Sequence, residues 1–234
     1  MDLLRRLSLV LCSVFLVTQL SCSKDPASPV PTSGAIKISL KKVSTRGLSK
    51  ISGTMGTTLT INSARVVIEE IEFESTSADT FDFEFESPFV QDLTVGSTLH
   101  EIQTVQVPFG SYSESEIKID ELDEEDGPAY FETPELRNKS VIVTGYVNGD
   151  PNEMFIFASD ISAEQEREFD PPLILDENSP TTNVVLTIDM DMWFVDSNGN
   201  VLDPRDPNNR SIIEENIKNS IGIFEDEDGD GEDN

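Results

Sequence analysis

Carboxylates dominate the groups with which this chain could do chemistry: 45 Asp and Glu stand against 16 Lys and Arg and a single His. Asp226, Asp228 and Asp230 alternate near the C-terminus and are followed by Gly231. This is the opening of a D-x-D-x-D-G calcium loop, in which carboxylates on alternate residues of a turn converge on one hard cation and the glycine permits the bend. The twelfth position of such a loop would carry a bidentate acid, and Asn234 occupies the ninth. The segment therefore reads either as a weak Ca2+ site or as a solvated acidic tail. A second group, Asp120, Asp123, Glu124, Glu125 and Asp126, precedes Gly127-Pro128 and is expected in a loop between strands. There it would gather a cation or shield a strand end from edge pairing. Asp189 and Asp191 alternate with Trp193, and on a strand the three would share one outer face. Paired carboxylates beside an aromatic ring are what a carbohydrate-binding surface or a carboxylate hydrolase would use, but nothing in the sequence brings a second element to them, and an exposed polar strand face is the preferred reading.

Nucleophilic catalysis lacks its parts. Any Ser-His-Asp arrangement would have to use His100, and no G-x-S-x-G elbow is present. His100, between Leu99 and Glu101, reads as an ordinary strand residue. A zinc site would have one nitrogen ligand at most, and neither G-x-x-x-x-G-K-[ST] nor G-x-G-x-x-G occurs. The expectation is a protein that is not an enzyme, with no catalytic residues and no required cofactor, Ca2+ being the one candidate.

The N-terminus carries a different chemistry. Arg5 and Arg6 precede the apolar run Leu7 to Val17, and small Ser21 stands before Cys22. This is the three-part layout of an export signal, and the run is roughly half the ~20 residues that a membrane-spanning helix needs. Gln19-Leu20-Ser21-Cys22 resembles a lipobox, with Gln19 where the pattern usually has Leu. The resemblance implies cleavage before Cys22 and lipid on that cysteine. Ser23-Lys24-Asp25 resembles the short export tag of some surface-exposed Gram-negative lipoproteins. Only two cysteines exist, Cys12 and Cys22, so a chain cut here retains none for a disulfide or a thiolate metal site. Removing residues 1–21 takes away Arg5, Arg6 and Asp2 and leaves 14 basic and 44 acidic residues, a net charge near −30. Such a surface repels phosphate backbones, which excludes nucleic acid as a partner and favours cations or basic surfaces.

The elements that must position these groups are strands. Residues 23–34 are rich in Pro and Ser and read as a tether. Period-two alternation then runs from Ala35 to about Val195. Strands are predicted at Ala35–Leu40, Thr57–Ile61, Ala64–Glu74, through Phe81, Phe83 and Phe85, and at Leu99–Val107, Ser115–Leu122, Ser140–Val147, Met154–Ala158 and Asn183–Val195. Within Ala64–Glu74 the apolar parity changes between Ile68 and Ile71, which predicts a bulge near Glu69-Glu70. Phe169–Leu175, limited by Pro171 and Pro172, is expected at an edge. Turns fall at Val95-Gly96-Ser97, Phe109-Gly110-Ser111, Asp126-Gly127-Pro128 and Asn148-Gly149-Asp150. After an irregular loop, Ser211 and Glu214 form a capping-box pair. Ile213, Ile217, Ile221 and Phe224 repeat at helical spacing, as the one helix, packed on the sandwich. The resulting plan is a signal peptide over 1–21, a lipidated Cys22 with tether over 22–34, a β-sandwich over 35–196, a loop and helix over 197–224, and an exposed, mobile acidic tail over 225–234. The fold class is all-β, an antiparallel β-sandwich with one C-terminal α-helix.

Val105-Gln106-Val107-Pro108-Phe109-Gly110-Ser111-Tyr112 resembles the turn of transthyretin-like or carboxypeptidase-regulatory-like β-sandwich domains. Val66 to Phe73, Gln91-Asp92-Leu93, Trp193-Phe194, Asp203-Pro204-Arg205-Asp206-Pro207 and the segment Ile213 to Ile221 are similar, in that order, to an uncharacterised family of bacterial lipoproteins containing such a domain. The resemblance spans most of residues 35–230 and implies a transthyretin- or Ig-like sandwich without implying an activity. Three roles stay open. One is a non-enzymatic cell-envelope protein, outer-membrane anchored, meeting an envelope protein or a glycan. The others are a fimbrial or adhesin-type subunit assembling by strand addition, and a carbohydrate- or calcium-binding module. Radiolabelled palmitate should enter the wild-type chain in cells and should not enter Cys22→Ala; a mutant that stays labelled would remove the anchor.

Overall fold

The computed structural model describes residues 32–43, 51–52, 56–76, 82–85, 87–94 and 99–233. The signal sequence, Cys22, the tether before Thr32, Phe81 and the Val95-Gly96-Ser97 turn lie outside the described residues. No described helix is long and apolar enough to cross a membrane.

Among the described residues, thirteen strands build three sheets around one main core. They are β1 (Ser33–Val43), β2 (Ile51–Ser52), β3 (Thr58–Ile68), β4 (Glu70–Ser75), β5 (Phe83–Phe85), β6 (Phe89–Asp92), β7 (Leu99–Pro108), β8 (Gly110–Ile119), β9 (Val141–Val147), β10 (Met154–Ser159), β11 (Ala163–Leu175), β12 (Thr181–Asp189) and β13 (Ile221–Glu225). The first sheet has the order β13-β12-β1-β7. The second is β10-β9-β3-β2, with β6 also on β3, and the third is β11-β8-β4-β5. The expected all-β sandwich is what the chain forms. The described strand pairs are antiparallel except β1 with β12, which is parallel; an isolated parallel bridge also joins Leu122 and Arg137. Each sheet sends its apolar positions into the same cluster: Ile36, Ile38 and Leu186 from the first, Val66 and Val143 from the second, Ile71, Phe73 and Ile117 from the third.

Two corners pass the chain between sheets. At Glu69 the ladder breaks, so β3 leaves the second sheet and β4 enters the third, with Ile68 and Ile71 both fully buried. The parity change is thus a transfer between sheets rather than a bulge within one strand. At Pro108-Phe109-Gly110 the chain crosses from β7 in the first sheet to β8 in the third, and the buried Tyr112 hydroxyl donates to the Pro108 carbonyl at 2.8 Å. That bond satisfies a polar tip inside the core.

Two predicted elements differ from those found, and one helix was not predicted. The strand expected to reach Val195 stops at Asp189, whose carboxylate accepts from the Asp191 amide at 3.0 Å and caps a 3-10 turn over Met190–Met192. The turn carries Trp193 into the core, 1 % exposed, where its indole N–H donates to Ser220 Oγ at 2.7 Å. The helix, α2, covers Arg210–Lys218 and does not reach Ile221. Ile221 and Ile223 are buried by strand alternation in β13 instead, and at Gly222 a Cβ would sit 2.8 Å from Thr187 Oγ1. A spacing of four residues fits both periodicities, so Ile217 and Ile221 could not decide between them. Ser211 lies inside the helix rather than capping it, and Glu214 instead pairs with Arg210 at 3.0 Å and accepts from Ser159 Oγ at 2.7 Å. Finally, a second short helix, α1 (Pro128–Glu132), stands in the excursion between β8 and β9. Leu122 and Leu136 there form a small second core with Val67 and Ile142.

β11 starts six residues before the expected strand and does lie at an edge; its pairing with β8 is interrupted between Glu168 and Leu173, where Pro171 and Pro172 cannot donate. α2 docks through Ile213 and Ile217, both fully buried in the main core, while Ile212 is 44 % exposed. Ile213→Ala should therefore cost about 2–5 kcal/mol in urea denaturation, and Ile212→Ala less than about 0.5 kcal/mol.

Candidate cation-binding surfaces

The third sheet carries most of its charge in rows. Burial of Ile71 and Phe73 on β4 and of Ile117 on β8 turns the intervening residues to the other face. Register then aligns them across strands. Glu166, Glu116, Glu72 and Glu84 stand opposite one another on β11, β8, β4 and β5. The row on one side is Glu168, Glu114 and Glu74, and on the other Glu164, Lys118 and Glu70. Directly opposed like charges, about 5 Å apart, repel by roughly 0.8 kcal/mol per pair even in bulk water. The one lysine of these rows turns away, its Nζ 2.9 Å from Glu69 Oε2 and 3.7 Å from Asp120 Oδ2.

The electrostatics follow from this alignment. Partial burial, a hydrogen bond with Glu164 and the charges of Glu164, Glu72 and Glu70 push Glu116 up to about 7. Burial and then the neighbouring Glu84, Glu74, Asp82 and Glu114 hold Glu72 above the usual carboxylate range. Burial and then Glu74, Glu166 and Glu168 do the same for Glu114. Carboxylate oxygens of Glu116, Glu164 and Glu166 lie within 4.8 Å of one another, close enough to share one cation.

The predicted aspartate loop is a separate surface. Oxygens of Asp226, Asp228 and Asp230 also come within 4.8 Å of one another. Residues 227–230, 232 and 233 are exposed as the sequence suggests, but the segment is held to the domain at Asp226 and Gly231, which are buried. Asp226 is 2 % exposed; its two carboxylate oxygens accept from the amides of Gly229 at 2.8 Å and Gly231 at 2.9 Å. Asp228 accepts from the Asp230 amide at 3.2 Å, and Asp230 from the Glu232 amide at 2.8 Å. The segment lies on the face of the first sheet opposite the main core: Lys41 Nζ donates to the Gly231 carbonyl, and Leu99 lies against Gly231. Gly231, at φ +81°, adopts a backbone that side chains disfavour, and a Cβ there would meet Leu99 at 2.8 Å. Local composition indicated solvation here because Lys41 and Leu99 lie far away in sequence.

The other expected sites do not assemble. Asp123 caps the 3-10 turn Glu124–Asp126 by accepting from the Glu125 amide at 2.6 Å, and its own amide donates to Asp126 at 2.6 Å. Asp120 accepts from Ser162 Oγ at 2.9 Å. These carboxylates hold backbone rather than converge. Asp189 and Asp191 are parted from the buried Trp193 by the 3-10 turn, so no outward carboxylate-aromatic face exists there. His100 pairs opposite Leu40 on β7, with Nε2 3.4 Å from Gln91 Nε2.

No family model matches this chain, and no curated protein does. Among solved structures it is similar to MbnP from Methylosinus trichosporium, with 10% identity and a TM-score of 0.46 over 82% of this chain and 98% of that one.

Because two backbone donors depend on a nearly buried carboxylate, Asp226→Ala should lose about 1–3 kcal/mol of stability in chelator. Asp228→Ala, at an exposed position, should change it by less than about 0.5 kcal/mol under the same urea titration.

Proposed function

We propose that this chain is a lipid-anchored, non-enzymatic binding module of the cell envelope, and that its ligands are cations taken up by the carboxylate face of the third sheet. The observation that carries this reading is the row Glu166-Glu116-Glu72-Glu84, four carboxylates in cross-strand register with no basic residue in the row. A hard cation between neighbouring carboxylates replaces repulsion by attraction and leaves the core side of the sheet undisturbed. Cys22 and the signal ahead of it support export and attachment, and they set the expected compartment, one where calcium is abundant. The resemblance to uncharacterised envelope lipoproteins agrees with that placement.

The aspartate loop is a second cation position on the same reading. Its three acids alternate as in a calcium loop, and Gly231 supplies the bend at the sixth place. Extracellular calcium modules work at dissociation constants of about 10⁻⁴–10⁻³ M. With a constant near 10⁻³ M, about 10 mM calcium adds on the order of 1.4 kcal/mol to the native state.

Scanning calorimetry of the purified full chain at pH 7.5 should show Tm rising by about 3–5 °C between chelator and 10 mM calcium. Glu116→Gln/Glu166→Gln should remove the face's share of that rise, and Asp228→Asn/Asp230→Asn the loop's. A Tm unmoved by calcium in the wild type would remove the cation-binding reading.

A further inference from the structure

We propose that the free edge of β10 joins this chain to a second copy of itself, the two β10 strands pairing antiparallel about a two-fold axis at Phe155. This surface belongs to the second sheet and is independent of the carboxylate face of the third.

β10 ends its sheet: β9 lies on one side, and no described strand lies on the other. The carbonyls of Glu153 and Ser159 accept from the amides of Val147 and Ser140, both at 2.9 Å, so the odd-numbered residues turn their backbone groups toward β9. The N–H and C=O of Met154, Ile156 and Ala158 therefore face away from it. Arg210 reaches the Ala158 carbonyl from that side, its Nη2 donating at 2.6 Å. The outward backbone groups of Met154 and Ile156 have no such partner among the described residues. Their side chains are 58 % and 60 % exposed, and Met154-Phe155-Ile156-Phe157-Ala158-Ser159 contains no charge and no proline. An edge of this kind templates pairing with another chain unless it is guarded. The other margins are guarded. β2, β5 and β6 are only two to four residues long. β11 carries Glu164, Glu166, Glu168, Pro171 and Pro172, and β7 carries Glu101 and a register shift against β1. β13 is flanked by β11.

Two features select a second copy as the occupant. The first is backbone complementarity. With the axis at Phe155, Met154 stands opposite the partner's Ile156, and Ile156 opposite the partner's Met154. Four hydrogen bonds then satisfy every free group of both residues in both copies, and the Ala158 carbonyl is left to Arg210. An axis at Ile156 would instead bring the Met154 amide to a carbonyl that Arg210 already holds. The same register sets each exposed Met154 beside an exposed Ile156 on the outer face, an apolar cross-strand pair that burial favours. The second feature is charge. Although the chain has a net charge of −29, the acids around β10 are neutralised: Glu153 pairs with Arg205, Asp160 with Lys139 and Glu214 with Arg210. The antiparallel register places Glu153 opposite the partner's Phe157, and the Arg210 guanidinium lies 5.4 Å from the centre of the Phe157 ring. Each copy thus brings an acid to the other's arginine, twice about one axis, as a self-complementary interface requires. An edge of six residues is small against the roughly 1,200 Å² of a stable complex, so the pairing is reversible, with a dissociation constant of about 10–100 µM.

The test is sedimentation velocity of the purified full chain at about 0.15 M salt, where the Debye length is about 8 Å and repulsion between the acidic surfaces is screened. The chain should be monomeric at about 1 µM and mostly dimeric at about 500 µM. Ile156→Lys should weaken the dimer by about tenfold or more, since it removes an apolar pair and places a charge in the interface. Ile174→Lys, at an equally exposed apolar position on β11, should leave it unchanged. Both positions are exposed, so neither substitution should unfold the chain. Cysteine pairing then reads the register. In a chain carrying Cys12→Ala and Cys22→Ala, Met154→Cys and Ile156→Cys copies mixed together should cross-link on mild oxidation, because the two positions face each other at about 5.5 Å between Cα atoms. Either variant alone should cross-link about fivefold less, its sulfurs lying on a diagonal about 7–8 Å long. A wild-type chain that stays monomeric at the highest concentration overturns the proposal, even if an added peptide of alternating apolar residues binds the edge. So does a dimer that Ile156→Lys leaves intact, or cross-linking no stronger in the mixture than in either variant alone.

Discussion

The alternation of each strand between a buried and an outward face is the constraint on which the rest of this molecule depends. One core draws side chains from three sheets, and with no disulfide among the described residues that core has to hold the domain together. Placing Ile71, Phe73 and Ile117 inside fixes where every intervening side chain must go. The glutamates of β4, β8 and β11 are thus held in line by the apolar residues behind them. A slip of one residue would exchange the two sets and bury the acids. The carboxylate rows are as rigidly specified as the core.

Much of the fold was legible because period-two alternation is local. Most strands, the edge placement of β11 and the apolar contact of Ile213 and Ile217 follow from patterns a few residues long. The errors arose where local patterns are degenerate. Ile217 and Ile221 fit a helix or the start of a strand, and the alternation through Trp193 continues past the point at which the Asp189 carboxylate ends the strand. The acidic face was legible only in fragments. Glu70, Glu72 and Glu74 alternate in the sequence, as do Glu114 and Glu116, and Glu164, Glu166 and Glu168. That these fragments lie side by side depends on pairings between residues 40 to 54 positions apart, which no short window contains. The aspartate loop shows the converse: its alternating acids were visible, but the partners that bury Asp226 and Gly231 were not.

Acid is used in two distinct ways on this surface. Asp123, Asp189, Asp206 and Asp226 accept backbone amides and end or bend the chain. Such carboxylates stabilise by replacing water at turn donors. The glutamates of the two all-acid rows cap nothing, and their row neighbours repel them. Composition alone merges these two populations into one acidic total; the structure separates those that serve the fold from those that burden it.

The parallel pairing of β1 with β12 has a mechanical consequence. β1 opens the domain and lies inside its sheet, matched over nine residue pairs to β12 on one side and nine to β7 on the other. A load applied at its N-terminal end and directed along the strand meets both ladders lengthwise. Their hydrogen bonds then bear it together, in shear, instead of opening one after another as an edge strand would when peeled. A domain hung from that end is gripped by its middle.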